Sequence, residues 1–381
     1  MDARSHDRSR QAHDGLVTGA CVAALACAAI ALVAAVAGGL LRACPASAPS
    51  TVPSWLAAGA ASHAALMVCG VLGTVIGLER AVALGRWGAF AAPSASAGGA
   101  LATLAGHAEA AGGMFVLAAT AFVVVNLAIL RKQPAAHTAM LLSGALAWLA
   151  GSLMHAFGDG TAVPLWLSFV VLTIAAERLE MTRLTRRARH AGMQLWAVTA
   201  VMIVGAGAAA SPSGFGAAGP GVFGASLVLL AAWLFTHDIA RRTLLTEGLS
   251  RYMAVCLLAG YAWLGVAGVA WLGLAWGLPV RDMALHALGL GFVGSMMMAH
   301  APVILPALTR VRLRFGTVFY MPLAVLHGSL VLRLAHGAGD PIQRGVGAAL
   351  NALAIALFAA TVLASAVAWR LTRHRPVSLE G

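Results

Sequence analysis

Four histidines stand inside long apolar stretches of the chain, where an imidazole needs a partner to be stable: His63, His286, His300 and His327. Neutral imidazole is a ligand for haem iron and for copper, and ionisable groups within a membrane are costly and tend to serve function. His63 stands in SHAALMVCGVLGTVIG, residues 62–77, with Met67 one helical turn further on and Gly70, Gly73 and Gly77 beyond it. His286 opens HALGLGFVGSMMMAHAP, residues 286–302, and is followed by Gly289, Gly291 and Gly294. An imidazole followed by spaced glycines offers a nitrogen to iron and leaves a groove for a flat macrocycle. The pair therefore reads as two axial ligands of a haem b. The competing reading is that the glycines serve helix packing and each histidine hydrogen-bonds between helices.

A second set lies deeper. His300 follows His286 by fourteen residues, and His327 falls about halfway along the next apolar stretch. Met296, Met297 and Met298 stand beside them, and thioethers suit Cu(I). His300, His327 and Met297 make a candidate copper site or open haem site, although methionine is also common packing material. His155 could be an alternative ligand near the first pair. His107, His137, His190, His237, His336 and His374 lie at helix ends or in connections, where water accounts for them.

The elements that must position these residues are membrane helices. Of 381 residues, 60% are apolar and 10% charged, against about 25% charged in a soluble domain, and mean hydropathy is +0.86. A length of roughly 20 residues per crossing divides the chain into twelve segments near 16–41, 59–78, 89–106, 112–130, 138–157, 163–182, 192–210, 220–238, 252–278, 283–308, 316–335 and 346–369. The expected fold is an all-α, twelve-helix polytopic bundle. Residues 1–381 form one integral membrane domain: a polar segment 1–15, a bundle 16–369 and a tail 370–381. The first helix reads as retained rather than as a cleaved signal, despite CPASAP at 44–49. Cys21, Cys27, Cys44, Cys69 and Cys256 show no paired spacing, so no disulfide framework is implied.

Cationic residues collect on alternate connections. Arg80 and Arg86, Arg131 and Lys132, Arg178 through Arg189, Arg241 to Arg251, Arg310 to Arg314 and Arg370 to Arg375 follow the even-numbered segments, and Arg4, Arg8 and Arg10 precede the first. The positive-inside rule then places both termini in the cytoplasm of a bacterial-type inner membrane. It also accounts for the net charge of +12 without nucleic acid, since short basic connections orient helices and meet anionic headgroups. Segments two and ten run the same way, and both His63 and His286 fall about 6 Å below the outer boundary at helical rise.

Twelve helices with both ends inside and histidines near the outer ends of the second and tenth resemble the architecture of haem-copper oxidase subunit I. In that superfamily the two histidines hold a low-spin haem. The segment HALGLGFVGSMMMAHAP is similar also to the NnrS family of haem- and copper-containing membrane proteins. The resemblance in residues covers about 35 of 381 positions. It implies haem, copper, and a role in respiratory electron transfer or nitric oxide metabolism, with nitric oxide, another diatomic gas or quinone as partner. The chain departs from the oxidases in helix six, PLWLSFVVLTIAAERLEMT, which has no histidine, and in helix seven, which has only His190 at its threshold. Oxygen reduction at a binuclear centre is not expected, and no reaction is named.

A transporter is the second class. VIGLERAVAL and TIAAERLEMT place Glu79-Arg80 and Glu177-Arg178 at the inner ends of helices two and six, like a weak internal repeat. Such a pair reads either as a neutralised dipeptide extending a helix beyond the lipid or as an entry point for a proton or anion. Pro302, Pro306 and Pro322 could leave backbone free to hold a transported solute or metal ion. No phosphate loop, nucleophile elbow, HExxH or paired-carboxylate motif is present.

Overall fold

The computed structural model describes residues 3–44, 51–158, 161–182, 190–211 and 216–373, with side chains described from Gly15 to Leu371. Within these residues every regular element is a helix, without a strand. Helix α1 is Ala3–Ala43, and α2 begins as Ser54–Ala61, steps at Ser62 and continues as His63–Leu84. Then follow α3 Ala91–Leu104, α4 Ala108–Lys132, α5 Ala136–Phe157, α6 Val163–Met181, α7 Ala191–Ala210 and α8 Ala218–His237. The last four are α9 Gly248–Ala275, α10 Arg281–Thr309, α11 Thr317–His336 and α12 Pro341–Arg373.

Ten of these are long and apolar enough to cross a membrane. Of the twelve expected segments, α3 and α6 are the two that fall short: α3 has only 14 residues, and α6 carries Glu177, Arg178 and Glu180 near its end. The polar segment expected over 1–15 is helical from Ala3, so α1 starts earlier than the hydropathy indicates. Pro45 to Ser50, Arg183, Arg186, Arg187, Arg189 and the end of the tail from His374 lie outside the described residues.

Helix α6 is the axis of the bundle. Its residues from Pro164 to Ala176 are all buried, as expected of a helix that is apolar all round. Phe169 of α6 stacks on Trp148 of α5 at 4.7 Å, and both meet Phe122 of α4 edge-on. Elsewhere the helices approach backbone to backbone. A Cβ at Gly224 of α8 would lie 2.6 Å from the Gly268 carbonyl of α9. Between α1 and α2, a Cβ at Gly38 would lie 2.2 Å from the Gly59 backbone. Only glycine permits these crossings, which replace hydrophobic expulsion as the source of close packing in lipid.

The π-helical stretches are Leu66–Leu72 in α2, Ala287–Gly294 in α10 and Leu332–His336 in α11. A π turn inserts an extra residue and is found frequently at functional sites. The first begins three residues after His63 and the second directly after His286. The third contains Arg333, which reaches the same place.

Candidate metal centre

His63 and His286 come together. Their ring centres are 6.4 Å apart with planes inclined at 38°. In their C-terminal halves α2 and α10 pack against each other, Gly73–Leu84 on Ser295–Thr309, whereas their π-helical N-terminal halves both lean on α6. The two histidines meet at this N-terminal end.

Hydrogen bonding sets the tautomer of each ring, since a backbone carbonyl can only accept. Nδ1 of His63 donates to the Ala35 carbonyl of α1 at 2.7 Å, which leaves the lone pair on Nε2. Nδ1 of His286 is 3.0 Å from the Asp282 carbonyl one turn earlier and 3.0 Å from the Asp282 carboxylate. It therefore donates as well, and its lone pair is also on Nε2. A histidine whose Nδ1–H is held by a carboxylate or carbonyl is the arrangement that orients a metal ligand and raises its basicity.

Arg333 stands beside the pair. Its Nε and Nη2 donate to the two oxygens of Asp282 at 2.9 and 2.8 Å, a bidentate pair. Nη1 reaches the Asn351 side chain of α12 at 3.5 Å, and Asn351 donates in turn to Ser329 at 2.6 Å. Nη2 also lies 3.1 Å from Nε2 and 3.3 Å from Nδ1 of His286. A donor along the Nε2 lone pair would be far more distant from Nδ1 than from Nε2. The near-equal distances put the guanidinium beside the ring, leaving the lone pair open.

His300 and His327 are sent to different neighbours. Nδ1 of His300 donates to the Met296 carbonyl at 2.7 Å, so Nε2 accepts from Arg178 of α6 at 3.0 Å. Trp263 of α9 donates to Nδ1 of His327 at 2.8 Å, which puts the proton of that ring on Nε2. Both lone pairs are taken by nitrogen donors, and Met297 is 38% exposed while Met296 and Met298 are buried. These residues are not arranged as the expected copper site. Among the described residues no group of three or more His, Cys, Asp or Glu could hold a metal ion.

The glycine groove is also largely filled by protein. A Cβ at Gly73 would lie 2.7 Å from the Trp148 ring, and one at Gly291 would lie 2.5 Å from the Trp263 ring. Gly70 rests on Ala100 and Gly77 on Pro93, whereas Gly289 has open space beside it. Those glycines below the histidines serve packing. His155 meets the Trp166 ring edge-on at 5.1 Å and takes no part in the pair. His137, expected in water, is buried, with Nε2 3.9 Å from Glu180.

At the opposite end of α10 the Glu-Arg pairs interlock rather than extend beyond the bundle. Arg80 donates to Glu177 at 2.5 Å and lies 3.3 Å from Glu79, and both Arg80 and Arg178 are buried.

The chain belongs to a family described as a domain of unknown function (DUF8744), whose model matches residues 21–367. No curated protein and no solved structure matches it.

Proposed function

We propose that the chain is a haem-binding membrane protein in which His63 and His286 ligate one iron from opposite sides, the cofactor being haem b. The observation that carries this is the pair of open Nε2 lone pairs on rings 6.4 Å apart. Metal–nitrogen bonds of about 2.0–2.1 Å, with about 1.1 Å from each nitrogen to its ring centre, put the centres of two opposed imidazole ligands about 6.3 Å apart.

The surroundings suit the group. The Ala35 carbonyl and the Asp282 carboxylate fix both rings in the tautomer that ligation needs. Arg333 and Arg42 place positive charge near His63, where anionic propionates would find it. An added Cβ at Gly289 would meet nothing within 4 Å. Trp148 and Trp263 fill the space beside Gly73 and Gly291, so His63 and His286 are the residues that would hold the group.

When bound, such a haem supplies one-electron chemistry or binds a diatomic gas. What the chain itself does is hold both imidazoles, keep their Nδ1 protons, and balance charge with the Asp282–Arg333 pair. With both imidazoles on the iron, electron transfer would be favoured over gas binding. A place in respiratory electron transfer, at a bacterial-type inner membrane with both termini cytoplasmic, follows from the charge pattern and the resemblance. Quinone is the partner this suggests; a nitric oxide role rests on the resemblance alone.

Protein produced with adequate haem should carry about one haem per chain. His63→Ala and His286→Ala should each lose it while still inserting and remaining monodisperse. Haem-free wild-type protein, or full haem content in both variants, would overturn the proposal and favour a permease.

A further inference from the structure

Thr309 ends α10 and Thr317 opens α11, and the chain between them, RVRLRFG over 310–316, forms no helix. Arg310 turns it out of α10 in the left-handed conformation, φ 59°, with its N–H still on the Pro306 carbonyl. Exposure then alternates: Arg310, Arg312 and Arg314 are exposed, whereas Val311, Leu313 and Phe315 are half-buried. That is the period of an extended chain, in which alternate side chains share one face about 6.6 Å apart. The arginines are therefore carried together on the outward face, and the apolar residues turn toward the bundle.

The segment is fastened to three helices. Ser365 of α12 donates to the Arg314 carbonyl at 2.7 Å. Phe315 stacks on Phe319 of α11 at 5.4 Å and meets Tyr252 of α9 at 5.5 Å. The Arg312 guanidinium lies over the Trp369 ring of α12, 5.7 Å from its centre. A guanidinium held by its flat face keeps the N–H groups at its edge for an oxyanion. Arg312 and Arg314 make no ion pair among the described residues, so their donors are free for a phosphate, which such forks bind in bidentate fashion.

The surface next to these arginines selects the kind of phosphate. Helix α11 starts directly after Gly316, and its residues Val318, Met321, Ala324, Gly328 and Val331 are exposed. They form one apolar face at helical spacing, on a helix long and apolar enough to cross a membrane. A ligand with an anionic head at the segment and hydrocarbon along α11 satisfies both surfaces, whereas a free anion or an acidic protein segment satisfies only the first.

We propose that residues 310–314 bind the phosphate of an anionic phospholipid, with Arg312 and Arg314 holding its oxygens and an acyl chain lying along the exposed face of α11. The site stands apart from the haem: it requires neither His63 nor His286.

Native mass spectrometry of the full chain in detergent tests it. Offered phosphatidylglycerol and phosphatidylcholine with the same acyl chains, the wild type should retain phosphatidylglycerol, and excess inorganic phosphate should not displace it. Arg312→Gln combined with Arg314→Gln should weaken that binding about 25-fold, about fivefold for each arginine. Arg131→Gln combined with Lys132→Gln removes the same charge at the end of α4 and should leave it as in the wild type. Equal retention of the two lipids, undiminished binding in the arginine variant or an equal loss in the α4 variant would overturn the proposal, and displacement by phosphate would show a free-anion site instead. Where the arginine variant does not fold, a phosphatidylglycerol with a photoreactive headgroup decides the matter on the wild type in nanodiscs. It should label residues 310–321, and label confined to other connections would overturn the proposal.

Discussion

Replacing Asp282 by asparagine should weaken haem binding without removing the ligand. The Asp282 carboxylate accepts from Arg333 at 2.9 and 2.8 Å and from Nδ1 of His286 at 3.0 Å. An amide of the same shape keeps one oxygen for these donors and turns an N–H toward the guanidinium. Removing a ligand's orienting partner typically costs 10–100-fold in metal affinity, or about 1.4–2.8 kcal/mol. Titration of haem-depleted protein with haem should therefore show affinity lower by that factor, with a low-spin spectrum at saturation. Asp282→Ala is a different perturbation, because it strands Arg333, which is only 9% exposed. The Asp282 side chain is 36% exposed, so the loss should fall below the about 3–5 kcal/mol of a fully buried pair, and this variant should still lose some thermal stability without haem. Wild-type haem affinity in Asp282→Asn would refute the claim that this carboxylate orients His286.

At Gly39 of α1 an added Cβ would come within 3.0 Å of Cε1 of His63, so Gly39→Val should tilt the imidazole and shift the haem spectrum with insertion unchanged, as read by absorbance and membrane yield. Trp263→Phe removes the donor to His327; it should cost about 0.5–1.5 kcal/mol in thermal stability and leave haem and copper content as in the wild type. Gly224→Ala forces apart the α8–α9 crossing, where the Gly268 carbonyl oxygen would be 2.6 Å from the new carbon; about 1–3 kcal/mol of destabilisation is expected, measured as a lowered unfolding midpoint without spectral change.

The sequence placed the helices well because length and hydropathy are local properties. An apolar circumference signals that α6 is buried, but it does not say which helices surround it. The meeting of His63 and His286 was legible from depth, which the charge pattern supplies. Depth says nothing about rotation about the helix axis, and this is why His300 and His327, also similar in depth, turn to Arg178 and Trp263 instead. Glycines carry a related ambiguity: Gly73 and Gly291 announce a close approach, but only the fold says that tryptophan rings fill the space. Arg333 and Asn351 are polar groups within apolar helices, a signal of a buried polar network but not of which histidine it serves. The Asp282–His286 spacing of four, which puts both side chains on one helical face, was the available signal for the orienting carboxylate.

The central claim is the ligation of one iron by His63 and His286, and the optical spectrum of the purified protein, oxidised and dithionite-reduced, tests it most directly. The protein should show a six-coordinate, low-spin haem b whose reduced spectrum is unchanged by carbon monoxide, because both imidazoles would stay on the iron. A high-spin spectrum, one that carbon monoxide shifts, or one that persists unaltered in His63→Ala and His286→Ala would contradict it.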